Sequence, residues 1–151
     1  MRDVPADPAL IAKAGWTIAG GHHAMRRLLA LPDPPTAVFC FCDRTAMGVY
    51  AAAQAAGLSI PRDLSVVGFD NEAYTADMLP PLTTMELPHA DMARHAVEIL
   101  ATLIGVPRAR PRHLRMKFDC PMIVRGSVAR PKARGAGMRL ADEAAGAARE
   151  D

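Results

Sequence analysis

The chain has 151 residues and a mass of 16.1 kDa, enough for one domain with a hydrophobic core of its own. Half of the residues are hydrophobic and 23% are charged, the balance of an ordinary globular protein. A net charge of +2 argues for neither nucleic acid nor a membrane surface as partner, no apolar run approaches the ~18 residues of a membrane helix, and the opening MRDVPADPAL lacks the apolar stretch of a secretory signal.

The first fifteen residues read as loop, broken by Pro5 and Pro8, with a turn of helix near Ala9–Ala12. A helix is expected from about Thr17 to Leu31, with Ile18, Met25, Leu28 and Leu29 on one face and His22, His23, Arg26 and Arg27 on the other. Gly20 and Gly21 weigh against helix at its start. Pro32, Pro34 and Pro35 end it. Thr36–Cys42, TAVFCFC, is a short continuous apolar run that reads as a strand buried on both faces. Asp43 is read as the N-cap of an Ala-rich helix that closes at Gly57, with Pro61 blocking continuation.

A second buried strand, LSVVGF, ends at Asp70. DNEAYTADMLPP reads as loop and LTTMEL as a short strand. From Pro88 to Gly105 the pattern is that of an amphipathic helix, with Met92, Ala96, Ile99, Leu100 and Leu103 as its apolar stripe and Asp91, Arg94, His95, Glu98 and Thr102 on its polar face. Residues 112–127 read as two short strands, and residues 129–151 as a disordered or weakly helical tail. The three cysteines, Cys40, Cys42 and Cys120, are sparse and odd in number, which points to a reducing compartment, the cytosol.

Helix, strand, helix, strand is the order of a parallel α/β fold. In such sheets ligands sit beyond the carboxyl ends of the strands, where Asp43 and Asp70 stand. A carboxylate there accepts hydroxyl or N–H donors from a small polar ligand. Strand-end aspartates also hold Mg²⁺ or accept phosphoryl groups in enzymes. No second aspartate, nucleophile–base pair or phosphate-cradling loop accompanies these two, so an enzyme is not expected. His22 and His23 are adjacent and point apart, and Cys40 and Cys42 match no structural zinc spacing, so neither a metal nor a cofactor is expected.

Three motifs stand in order: PTAVFCFCDRTAMG, then GLSIPRDLSVVGFD, then PPLTT, with AGWTIAGG before them and PMIVRGSVARP after. In these the chain resembles the lactose-repressor/galactose-repressor (LacI/GalR) family of bacterial transcription regulators, over about Val4–Pro131. The resemblance implies a periplasmic-binding-protein-like type I sensor, an α/β parallel-sheet sandwich of two lobes with a small effector, a sugar or a nucleobase, between them. Residues 1–128 then correspond mainly to its C-terminal lobe. The N-terminal lobe and the helix-turn-helix that binds operator DNA are absent from this sequence, and the helix over 88–105 lacks the lobe it would pack on. A truncated gene product, a misassigned start or an expressed fragment would each account for that. The resemblance further implies that Asp70 contacts effector and that Trp16 stacks on it. Cys42 stands where the family usually carries an Asn that hydrogen-bonds ligand, and His89 where it often places a polar or aromatic cleft residue. It implies a homodimer paired through Met47, Tyr50 and Ala51 of the Ala-rich helix and Tyr74, Met78 and Leu79 of the following loop. The function so implied is effector sensing coupled to operator binding in a cytoplasmic repressor. The alternatives are a solute-binding protein for transport, which shares the fold, and a non-functional remnant.

Overall fold

Two glycines set the depth of the helical layer. In the computed structural model, which describes residues 7–105 and 115–131, helix α1 (Ile18–Leu29) starts at Thr17, whose Oγ1 accepts a hydrogen bond from the Gly20 N–H at 2.9 Å. Helix α2 (Asp43–Ala55) crosses it with backbone against backbone. A Cβ on Gly21 would collide with the Thr45 carbonyl, and one on Gly48 with the Ile18 carbonyl and the His22 nitrogen. Gly21, one of the two glycines that weaken the start of α1 in isolation, and Gly48 are therefore what let α1 and α2 touch. Gly21, Ala24, Met25, Leu28 and Leu29 form the buried face of α1, while Ile18, expected among them, stays exposed.

The end of α2 is closed by a left-handed Gly57, with Leu58 N–H bonded to the Ala53 carbonyl at 2.9 Å and Gly57 N–H to Gln54 at 3.0 Å, the paired bonds of a Schellman ending. Asp43 does not cap its start. Cys42 occupies the capping position without a side-chain bond, and Asp43 is the first helical residue, its carboxylate turned into the protein.

Strands β1 (Ala37–Phe39), β2 (Ser65–Asp70), β3 (Thr83–Glu86) and β4 (Met122–Ile123) form one sheet in that order. The first three run parallel and β4 is antiparallel to β3. The core lies between the sheet and the two helices, with Met25, Leu29, Val49, Leu64, Val66 and Leu82 at its centre. The opposite face carries Phe39, Val67, Phe69 and Met85 in register and is only partly covered. Phe39 is 65% exposed. The expectation that residues 36–42 are buried on both faces is therefore corrected. β1 is short and lies at the sheet edge, and its apolar residues meet a helix on one side alone.

Helix α3 (His89–Gly105) follows β3. Of its expected apolar stripe only Ile99 and Leu103 are half-buried, and Met92 and Leu100 are exposed, as are Val97 and Ile104 beside them. The His95 ring meets the Phe118 ring at 5.6 Å. Of the two strands expected over 112–127, β4 forms; residues 115–121 are extended without strand pairing, and 112–114 lie outside the described residues, as do 1–6 and the tail beyond Pro131.

Gly48→Ala tests the contact between the helices. Alanine favours helix by about 1 kcal/mol, but backbone on the opposite helix cannot rotate away, and overpacking costs about 1–3 kcal/mol. A lower urea midpoint with an unchanged slope is expected; a midpoint at or above wild type would show that the helices do not meet there.

Candidate functional site

Because β1, β2 and β3 are parallel, their carboxyl ends share one edge of the sheet. α2 starts immediately past β1 and α3 shortly past β3. The start of α1 is brought to the same rim by an edge-to-face contact between Trp16 and Phe41, with centroids 4.6 Å apart and planes at 85°. Three helix N-termini, each carrying partial positive charge, thus gather around the strand ends.

Asp43 organises this rim from inside. It is fully buried, and its Oδ1 accepts from the Thr84 hydroxyl at 2.6 Å and its Oδ2 from the Glu72 N–H at 2.9 Å. Gly68 on β2 makes room for it, since a Cβ there would collide with Oδ1. Asp43 is therefore a structural tie between α2, β3 and the loop after β2, and it offers no open surface to a ligand.

Asp70 ends β2 with φ +118°, followed by Asn71 at φ +59°, two successive left-handed residues without a glycine. Such conformations are costly and persist where surrounding structure enforces them. Burial pushes the Asp70 carboxyl above its usual range, and the charges of Asp43 and Glu72 push the same way; His89 and a backbone hydrogen bond from Asp43 oppose them. His89, at the start of α3, is thus close enough to act on Asp70 electrostatically. Trp16 is 70% exposed. Cys42 is different: its thiol is buried and paired with Thr45 Oγ1 at 3.1 Å. Nearby Cys40 is held protonated by burial, with a pKa raised to about 12. Among the described residues no group of His, Cys, Asp and Glu side chains converges as a metal site.

Phe41 is a second aromatic at the rim that sequence reading passed over, because it lies inside an apolar run that reads as buried strand. Glu86 was likewise passed over. It is exposed and stands directly opposite Asp70 in the β2–β3 register, a neighbour that only the pairing of strands reveals.

The six residues expected at a dimer surface divide. Met47, Tyr50, Ala51, Met78 and Leu79 line one open groove of about 670 Å³ on the outer side of α2, and the Tyr50 hydroxyl donates to the Pro80 carbonyl at 3.0 Å. Tyr74 does not line it. Its phenol is raised to about 12, first by burial and then by the charges of Asp43 and Glu72.

A parallel α/β lobe with a strand-end carboxylate, exposed aromatics and converging helix N-termini defines a ligand-binding lobe of the periplasmic-binding-protein class. Residues 2–128 match the family described as periplasmic binding protein-like domain, and the chain belongs to that family. Its relatives within it are LacI-type regulators. The HTH-type transcriptional repressor CytR of Escherichia coli K12 is 39% identical over 127 residues, 82% of this chain and 36% of that repressor. The ribose operon repressor of Haemophilus influenzae is 36% identical over 117 residues, 78% of this chain and 35% of its own length. Among solved structures, the transcriptional regulator CelR in complex with cellobiose superposes with a TM-score of 0.76 at 29% identity, over 82% of this chain and 37% of the other. A LacI family regulator from Enterococcus faecium with bound ribose gives 0.67 at 29%, over 78% and 42%. The chain spans little more than a third of the length of the curated relatives it matches.

The raised Asp70 carboxyl makes a signed prediction. A carboxyl whose folded pKa lies above its unfolded value favours the fold at low pH and loses that contribution as pH rises through the carboxylate range. Asp70→Asn removes the disfavoured charge, so the variant is expected to be more stable than wild type at neutral pH. The difference should close as pH falls below the carboxylate range. Urea midpoints at several pH values check it; a difference independent of pH would refute the charge origin.

Proposed function

We propose that this chain is the effector-sensing lobe of a bacterial transcription regulator, binding a small polar ligand, a sugar or nucleoside-like molecule, at the rim formed by Asp70, Trp16 and His89. The observation that carries the reading is the exposed Trp16–Phe41 pair on the same sheet edge as a carboxylate held in a left-handed turn. An aromatic face takes the apolar side of a sugar ring or base, and a carboxylate takes its hydroxyl or N–H donors. The ligands in the related structures, cellobiose and ribose, suit such a site. In the complete regulator a second lobe closes over the rim, and closure is coupled to operator DNA through a separate DNA-binding segment. α3, with Val97, Leu100 and Ile104 exposed, is the element that would pack on that lobe. The reading is of a non-enzymatic cytoplasmic protein. No helix among the described residues is long and apolar enough to cross a membrane.

The direct test is calorimetric titration of ribose and cellobiose into a protein that carries both lobes. Asp70→Ala and Trp16→Ala are each expected to weaken the ligand that binds by about tenfold or more, on the scale of a lost charge-assisted hydrogen bond or stacking face. Unchanged affinity in both variants would show that the ligand lies elsewhere.

The groove on the outer side of α2 belongs to the same proposal as a homodimer surface. Leu79, 90% exposed beside it, is the apolar side chain most available for burial by a second copy. Burying a leucine contributes about 1.5–3 kcal/mol, so Leu79→Asp is expected to weaken self-association about tenfold or more in analytical ultracentrifugation. A wild-type monomer, or a variant that associates as well as wild type, would remove this groove from the assembly.

A further inference from the structure

The C-terminal segment returns after α3 and lies as a strap over the amino ends of β2 and β3. Ser127 Oγ accepts from the Thr83 N–H at 2.7 Å and donates to the Val66 carbonyl at 2.6 Å, while Ser127 C=O accepts from the Val66 N–H at 2.9 Å. Gly126 N–H donates to the Pro81 carbonyl at 2.9 Å. Arg125 does more than join this ladder. Its backbone N–H donates to Thr83 Oγ1 at 2.9 Å. Its guanidinium enters the loop that follows Asp70 and touches it at three places. One terminal nitrogen donates to Thr75 Oγ1 at 3.0 Å and to the Leu82 carbonyl at 2.8 Å; the other donates to Asn71 Oδ1 at 2.7 Å.

Those partners are the beginning, middle and end of the loop. The loop also closes on itself, with Leu82 N–H bonded to the Thr75 carbonyl at 2.8 Å and Thr75 Oγ1 to the Glu72 carbonyl at 2.6 Å. Yet neither bond reaches Asn71, the second of the two left-handed residues. Its side chain is held by Arg125, from 54 residues further along the chain. Two successive left-handed residues without glycine persist only where the surrounding structure holds them. A planar, always-charged fork with fixed donor directions suits such a clamp, and a lysine cannot reproduce its pattern.

We propose that Arg125 is a positioning residue for Asp70: by locking Asn71 it holds the left-handed Asp70–Asn71 turn and so aims the Asp70 carboxylate at the rim. The C-terminal strap thereby completes a site whose other members lie between residues 16 and 89. The geometric claim stands on the bonds above; its consequence for ligand affinity rests on the reading of Asp70 as an effector contact.

The test uses two charge-conserving variants of the whole chain, Arg125→Lys and Asn71→Ala, and their combination. The Asp70 carboxyl is titrated by carbon NMR, and amide exchange is followed along the chain. If the clamp aims Asp70, each single variant lets the carboxylate swing toward water. Its midpoint should then fall by about 0.5 pH unit or more, and amides of residues 71–75 should exchange about tenfold faster while those of β1–β3 keep their protection. The double variant should add nothing to either single one. The proposal is overturned if the Asp70 midpoint stays at its wild-type value, if protection is lost evenly over the sheet, or if the two substitutions add. Should Arg125→Lys fail to fold, Asn71→Gly decides, since it removes the partner, accepts the positive φ without strain and leaves the strap bonded. Ribose titration of the same variants in a protein with both lobes separates the two readings. Weaker binding in Arg125→Lys and in Asp70→Ala supports both. A moved Asp70 midpoint with unchanged ribose affinity in both variants sustains the positioning role and defeats the effector contact.

Discussion

A buried carboxylate holds this lobe in register. Asp43 has no exposed surface, and removing a charge from water is tolerable only where donors replace the solvent. Two do, the Thr84 hydroxyl and the Glu72 N–H, and the N-terminus of α2 adds its dipole. Hydrogen bonds to charged groups contribute about 1.5–3 kcal/mol each, and removing Asp43 would leave both donors without that acceptor. The demand for space passes to Gly68, and the demand for a correctly placed N–H passes to the loop. One side chain thus couples the start of a helix, the middle of two strands and the first residues after Asp70.

Around that tie the lobe is built asymmetrically. On one face of the sheet the helices approach until backbone meets backbone at Gly21 and Gly48, and the core between helices and sheet is closed. On the other face Phe39 stays largely exposed, and α3 extends past the sheet with Val97, Leu100 and Ile104 uncovered. Apolar surface of this extent marks a place of interaction. The rim between the two regions carries the molecule's strain and its crowding of like charge, with left-handed Asp70 and Asn71 beside Asp43 and Glu72.

The motifs that revealed the family, from PTAVFCFCDRTAMG to PPLTT, are largely the residues that make these close contacts. Gly48, Gly68, Asp43, Thr83, Thr84 and Ser127 each fill a position where geometry leaves little choice of side chain. Their order along the chain was therefore enough to read the parallel α/β lobe, the placement of Asp70 at a strand end and the starts and ends of the helices. Local rules supplied the rest of what was legible: Gly57 as a helix end and the helical period of α3.

What the sequence by itself determined was the class of fold and the placement of Asp70 at the carboxyl end of a strand, because both follow from local periodicity and from residues that tolerate no substitute. Tertiary structure alone decided which apolar segments are covered, for TAVFCFC reads as a buried strand until its neighbours are counted. It turned Asp43 from a cap into a buried tie and paired Trp16 with Phe41 across 25 residues. It also brought Arg125 back to Asn71. Those are contacts between residues far apart in the chain, and no local pattern carries information about a partner that only the folding of the whole chain delivers.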